Sequence, residues 1–252
     1  MNKVESIEPD ALFPTGATTH GRSTRAPATG KNGMVASAHP YATRAGLDVL
    51  RDGGNAIDAA VAVASTLNVV EPYMSGVGGI GLALVYVAKE RRTRALNFSG
   101  HAPQAATPEI YDSFNVETGP IAPLVPGNVS GWMTMHEEYG SLPLQRVFRD
   151  AVRYSDEGVA LTPWNARIIE ENLERIDRFE SSQEAIVLER NRLGAGALFR
   201  QPQLSRTLAA ISEGGQEEFY RGTLGDRVQA GLEAAGGIIN RDELAAYRAF
   251  WQ

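Results

Sequence analysis

Residues 55–87 run in an order that restricts the fold more than any other feature of the chain: a small-residue helix pattern, a glycine-rich loop, then an apolar strand pattern. Asn55 is placed to cap a helix in which Ile57, Val61, Ala64 and Leu67 recur at helical spacing. Alanines at 59, 60 and 62 permit close packing on its other faces. Pro72 ends that segment, and Gly76, Gly78 and Gly81 then spell a literal G-x-G-x-x-G ahead of "LALVYV". A dinucleotide fingerprint needs the opposite order, because the pyrophosphate must meet the free N–H groups in the first turn of a helix that follows the glycines. The loop is therefore not read as a nucleotide site, and no cofactor is expected. Its glycines instead allow positive φ and close approach to another chain segment or a small ligand. "LALVYV" is apolar on both alternating faces, the pattern of a strand covered on two sides. "KERR" turns the chain, and residues 93–98 return antiparallel as the second strand of a hairpin.

The rest of the chain is organised around this unit. Residues 1–32 lack periodicity and read as an extended or mobile arm, and the fold begins at Gly33. "GMVASA" reads as a short buried strand, followed by a helix from Pro40 to about Arg51 that Gly53 and Gly54 stop. The Pro-rich passage "TGPIAPLVPGN" reads as a surface connection, with a soft subdomain boundary at 115–127 inside the unit 33–252. Beyond it the text turns helical, with segments at about 128–139, 143–157 and 163–179, and others near Pro202 and Leu224. Asn240 and Glu243 form a capping-box pattern for a short last helix through Tyr247. Phe250 and Trp251, which follow, need cover from a neighbouring surface.

Composition narrows the function classes. The formal charge of −6 carries no basic footprint for nucleic acid. The longest apolar region, residues 56–70, is broken by Asp58, Ser65, Thr66 and Asn68 and falls short of a membrane span, and the acidic, polar start of the chain lacks a leader pattern. A soluble, cytoplasmic protein is the resulting expectation. With no cysteine and with His20, His39, His101 and His136 scattered, no metal site is expected either.

Function enters through a resemblance. "DGGNAIDAAVAVASTLNVVEPYMSGVGG", residues 52–79, resembles the large-subunit signature of the gamma-glutamyltransferase family. "GMVASAHPYATRAGLDVL" before it continues the likeness, as do "NFSGHAPQAATPEIY", "PLVPGNVSGW", "YGSLPLQRVFRDAVRYSDEGV" and "GGIINRDELAAYRA" after it. The likeness covers about 33–249 with its blocks in order. It implies an α+β fold, the αββα sandwich of the N-terminal nucleophile hydrolases, incomplete in this chain and completed by a second, small subunit cut from the same precursor. In the family that subunit starts with a threonine whose hydroxyl attacks an amide carbonyl while its own α-amine acts as base. The resemblance further implies a small-molecule amide substrate and leaves room for a dimer of heterodimers. Family large subunits run on past "LAAYRAFWQ", so the chain reads as ending early.

One departure from the family pattern concerns the substrate. In the family's transferases the strand matching "LNFSGHAP" carries an arginine followed by a glutamate, and the arginine clamps the α-carboxylate of the γ-glutamyl group. Ser99 and Gly100 stand there instead, and a hydroxyl replaces neither the charge nor the fork of a guanidinium. Ser99, Gly100 and His101 are the candidate substrate-binding residues, His101 falling on the same face if the strand continues. Arg94 compensates only if its side chain turns toward the pocket. His39 reads as a cap or packing residue, Glu71 as a structural hydrogen-bond partner, and Trp132 and Met133 as core. The expected activity is amide cleavage or acyl transfer on a small acyl amide other than a γ-glutamyl one. The rival readings are a true γ-glutamyl enzyme whose donor is held by the other subunit, and a noncatalytic member of the family.

Overall fold

The structure, a computed structural model, describes residues 28–111, 115–186 and 194–252. Residues 35–252 form one compact unit. Of the unit formed by residues 1–34, only 28–34 are described, without helix or strand, and the greater part of the N-terminal arm lies outside the described residues. Chain order in the larger unit begins α1 (Pro40–Arg51), α2 (Ala56–Val70), β1 (Gly81–Val87), β2 (Arg92–Phe98), α3 (Asn128–Tyr139) and α4 (Leu144–Glu157). It continues β3 (Val159–Ala160), α5 (Pro163–Glu171), α6 (Leu173–Ile176), α7 (Glu180–Ile186), β4 (Leu198–Phe199), α8 (Pro202–Tyr220), α9 (Thr223–Ala234), α10 (Arg241–Ala246) and β5 (Phe250–Trp251). None of the described helices is long and apolar enough to cross a membrane.

Helix α2 lies at the centre, packed by α1, α3 and α4, and buries most of its surface, leaving one strip on which Ala56 and Ala60 are exposed. A helix buried in this way must have its free end groups satisfied by protein. At the N-terminus the Asn55 side chain accepts from the N–H groups of Ile57 and Asp58, and the Asp58 carboxylate accepts the Asn55 N–H at 2.8 Å. The fully buried Asp58 also receives the Ser141 hydroxyl at 2.6 Å and the Ser141 and Leu142 N–H groups, which fixes the turn between α3 and α4. At the C-terminus the Asn165 and Gln201 side chains donate to the Val70 and Val69 carbonyls, at 2.6 and 2.8 Å. One hydrophobic cluster then gathers Val49, Val61, Val69, Leu96, Phe148, Leu208 and Tyr220.

The main sheet has the order β1-β2-β5, antiparallel throughout. The register puts Ala83, Val85, Leu96, Phe98 and Trp251 on the face toward the helices. Leu82, Leu84, Tyr86, Asn97 and Phe250 line the other. That second face is open: Leu82, Leu84 and Tyr86 are 72%, 79% and 64% exposed, and Phe250 is 55% exposed. β1 is therefore covered on one side only among the described residues, contrary to the two-sided cover its composition predicts. Its outer edge has no strand partner among the described residues and borders a groove of about 470 Å³ walled by Ala56, Ala60 and Ala64.

Three other expectations change. Residues 33–38 form no strand, since no neighbouring edge supplies ladder bonds among the described residues. The segment 163–179 breaks at Asn172, which leaves helical geometry at φ −111°, ψ 6° while its side chain bonds the Ile168 carbonyl. The Pro-rich connection is not a surface loop along its whole length, because Val125, Pro126, Gly127 and Asn128 are buried. Burial is tolerated there because the Val125, Gly127 and Asn128 N–H groups and the Pro126 carbonyl all have partners, while Pro126 has no N–H to satisfy. The terminal aromatics pair with β2 as β5, Trp251 lying edge-on to Tyr139.

Two outcomes are expected. Burial alone pushes the Asp58 carboxyl up, but the hydrogen bonds from Ser141, Asn55 and Leu142 outweigh it and hold the group below its ordinary value of 3.8. Its stabilising contribution is therefore full above that value and is lost as pH falls through the lower, folded-state value. Asp58→Asn should cost about 3 kcal/mol at pH 7, because a donor then faces three donors in a buried site. Urea unfolding of both proteins should show the gap narrowing at pH 3, and an unchanged gap would refute the assignment. Second, a polypeptide of residues 1–252 produced alone should bind an apolar dye strongly and self-associate through the open face and free edge of β1. A monomer with no dye uptake would contradict this.

Candidate active site

Three segments converge at one end of the open sheet face. The first is the glycine loop. The Asn128 side chain donates to the Gly76 carbonyl at 2.8 Å, and the Gly127 and Asn128 N–H groups both donate to the Gly79 carbonyl at 2.9 Å. A Cβ on Gly79 would stand 2.6 Å from Asn128 Nδ2, and one on Gly81 would stand 2.5 Å from the Phe98 ring. Gly79 and Gly81 therefore serve close packing, whereas a Cβ on Gly76 or Gly78 would meet open space, and none of the four takes the positive φ that the sequence allowed for. The loop follows a helix and precedes a strand, as the sequence order requires.

The second segment is the turn after β2. The strand ends at Phe98 and does not continue to His101, because Gly100 has φ +74° and turns the chain. Asn97 Oδ1 accepts both the Ser99 N–H at 3.0 Å and the Ser99 hydroxyl at 2.7 Å. The Gly100 N–H donates to the Tyr247 hydroxyl at 3.2 Å. A side chain at 100 would be strained by φ and would put its Cβ 2.5 Å from the Val125 carbonyl oxygen, so the position excludes the glutamate of the family pattern. His101 is exposed. Its Nδ1 lies 3.0 Å from the Ala102 carbonyl, which can only accept, so Nδ1 carries the hydrogen of that bond and Nε2 is the ring nitrogen left to face outward.

The third segment is 124–128, whose Val125 N–H donates to the His101 carbonyl at 3.0 Å. Tyr247 closes the back of the site from just beyond α10. It stacks on Tyr220, whose hydroxyl donates to the Pro126 carbonyl, and burial pushes the Tyr247 hydroxyl up in spite of the bond from Gly100. Ser99, Gly100 and His101 thus stand together beside the glycine loop.

Arg94 does not join them. It lies three residues from Asn97 and therefore on the covered face, where its guanidinium bonds Glu138 and the Tyr139 hydroxyl and stacks over the Trp251 ring at 4.2 Å. His39 caps α1, its Nδ1 accepting the Tyr41 N–H at 3.3 Å, and burial pushes its pKa down. Trp132 and Met133 are core residues. Glu71 makes its structural bonds through its backbone carbonyl, which receives the Met74 and Ser75 N–H groups, while burial pushes its carboxyl up.

Asn97, Asn128 and Tyr247 escape the sequence reading. An Asn two residues before a Ser is a turn signal that marks Asn97 in retrospect. Nothing local marks Tyr247, which reaches Gly100 across 147 positions.

Relatives agree with this architecture. The family model described as Gamma-glutamyltranspeptidase matches residues 42–252. The chain is 34% identical over 231 residues to the "Glutathione hydrolase proenzyme" of Escherichia coli (strain K12), covering 88% of this chain and 40% of that protein. It is 35% identical over 226 residues to the "Oxamate amidohydrolase proenzyme" of Klebsiella pneumoniae, covering 86% of this chain and 43% of that one. The chain thus spans less than half the length of either curated relative. The crystal structure of Helicobacter pylori gamma-glutamyltranspeptidase superposes with a TM-score of 0.85 at 32% identity, over 90% of this chain and 67% of that one. The α+β layout of helices on one face of a small sheet is part of that larger fold, and the chain belongs to the gamma-glutamyltranspeptidase family.

Proposed function

We propose that this chain is the large-subunit part of an amidohydrolase or acyltransferase that cleaves a small acyl amide other than an ordinary γ-glutamyl donor. The acyl-enzyme forms on the N-terminal threonine of a second subunit from the same precursor. The second subunit lays its own sheet against the open face formed by Leu82, Leu84, Tyr86 and Phe250, a combination favoured by the exposed apolar surface and by relatives that are themselves proenzymes.

The observation that carries the substrate argument is the turn at 97–101. A hydroxyl held by Asn97 stands where a carboxylate clamp requires a guanidinium, and Arg94 is committed to the opposite face. An α-carboxylate desolvated here gains no charged partner from Arg94, and losing such a pair costs on the order of 2–5 kcal/mol. A donor without that carboxylate avoids the penalty. The relatives are consistent with either acyl class, one being a glutathione hydrolase proenzyme and one an oxamate amidohydrolase proenzyme at nearly equal identity.

The test is a donor series on the full-length, processed protein. Simple acyl anilides should be cleaved with higher kcat/KM than γ-glutamyl anilide. Ser99→Arg should raise kcat/KM for the γ-glutamyl donor at least tenfold and lower it for the preferred one. High γ-glutamyl turnover by the unmodified protein, unmoved by Ser99→Arg, would mean that the second subunit holds the carboxylate. The substrate reading would then fail.

A further inference from the structure

The turn that binds Ser99 also leaves a specific pair of groups free, and their chemistry selects among acyl amides. The Ser99 N–H can only donate, so the Asn97 atom it meets at 3.0 Å is the amide oxygen, which fixes the orientation of the carboxamide. That oxygen takes a second bond from the Ser99 hydroxyl at 2.7 Å. Two consequences follow from counting donors and acceptors. The Asn97 NH2 makes no hydrogen bond among the described residues, and its protons are available. The Ser99 hydroxyl has spent its proton, so what it offers is lone pairs.

The β-register sets where this pair stands. Asn97 is opposite Leu82 on one side and Phe250 on the other, on the open face of the sheet. Both neighbours are exposed apolar side chains in this chain, so the donor and the acceptor sit at the rim of the apolar face on which the second subunit is proposed to lie. Val125 and Gly127 approach the backbone at Gly100 and Phe98, and the Val125 N–H holds the His101 carbonyl, which fixes the backbone of the turn on either side of Ser99.

We infer that Asn97 and Ser99 form a neutral donor–acceptor site for the distal end of the acyl group, matched to a carboxamide rather than to a carboxylate. The carboxamide oxygen accepts from the Asn97 NH2, and its N–H donates to the Ser99 hydroxyl oxygen. A carboxylate offers only acceptors, leaves one of them facing the Ser99 lone pairs, and brings a charge that neither group neutralises. This deepens the amidohydrolase reading above and rests on it for the reaction. The recognition itself concerns binding and is measured separately.

The experiment uses the full-length, processed protein and anilides of ω-carbamoyl, ω-carboxy and unsubstituted acyl groups matched in length across the succinyl, glutaryl and adipyl series. At the best length the carbamoyl donor should exceed the carboxy donor at least tenfold in kcat/KM, mainly through KM. Asn97→Asp keeps the acceptor for both Ser99 bonds and replaces only the free NH2. It should raise KM at least tenfold for the carbamoyl donor and less than twofold for the unsubstituted one. An Asx turn that only shaped the chain would move both donors equally, and that result would overturn the proposal. So would preference of the unmodified protein for the carboxy donor. If no anilide is cleaved, the functional reading fails, and calorimetry still decides the recognition claim. Pentanediamide should bind at least tenfold more tightly than glutarate, and Asn97→Asp should abolish the difference. Equal binding, or preference for glutarate, would sink it.

Discussion

A helix anchored at both ends by polar side chains governs the rest of this structure. The N–H groups of Ile57 and Asp58 at the start of α2 and the carbonyls of Val69 and Val70 at its end lie in buried residues and find their partners inside the protein. At the start the N–H groups of Ile57 and Asp58 are taken locally by Asn55, and Asp58 in turn receives Ser141 and Leu142 from far along the chain, while Asn165 and Gln201 reach the carbonyls of the last turn. Each such bond is worth only about 0.5–1.5 kcal/mol net, but leaving one unmade costs the full desolvation of a buried group. The anchors therefore act as constraints on assembly more than as sources of stability. They oblige the α3–α4 turn, the start of α5 and the start of α8 to dock where they do.

The position of the site follows from that docking. With α2 fixed, the glycine loop leaves its C-terminal end toward α3, where Asn128 takes two of its carbonyls by side chain and backbone. This contact fits only because Gly79 has no side chain. The same approach brings the buried segment 125–128 against the end of β2, and Tyr247 receives the Gly100 N–H behind it. The turn at 97–101 is thus held from three directions, while its free groups look along the open face of the sheet. A face with Leu82, Leu84, Tyr86 and Phe250 exposed is suited to a covering layer, and a polar pair at its rim then lies between layers.

Local patterns were readable wherever a single segment carried them. The caps at His39, Asn55 and Asn240, the helices 40–51, 128–139 and 144–157, and the β1-β2 hairpin all follow from short-range rules. So does the order of helix, glycine loop and strand in residues 56–87. The misreadings lie where an outcome depends on distant neighbours. "LALVYV" is apolar on both faces, but apolarity does not say which layer, or which chain, covers each face. "PLVPGN" carries loop residues, yet its last four are buried because remote groups take up their backbone polar atoms.

The candidate site divides in the same way. The sequence by itself determined the family blocks, the presence of Ser99 and Gly100 where the family pattern has an arginine and a glutamate, and the nearness of His101. It also determined that Arg94 and Asn97 lie an odd number of positions apart, hence on opposite faces of any strand that contains both. Tertiary structure alone decided which of those faces is covered. It also decided that Arg94 is engaged by Glu138 and Tyr139, that Gly100 is closed to a side chain by Val125, and that the Asn97 amide keeps its NH2 free. The physical reason is that hydrogen bonds and steric limits at this turn come from residues up to 147 positions away, and no local propensity encodes a contact across that distance.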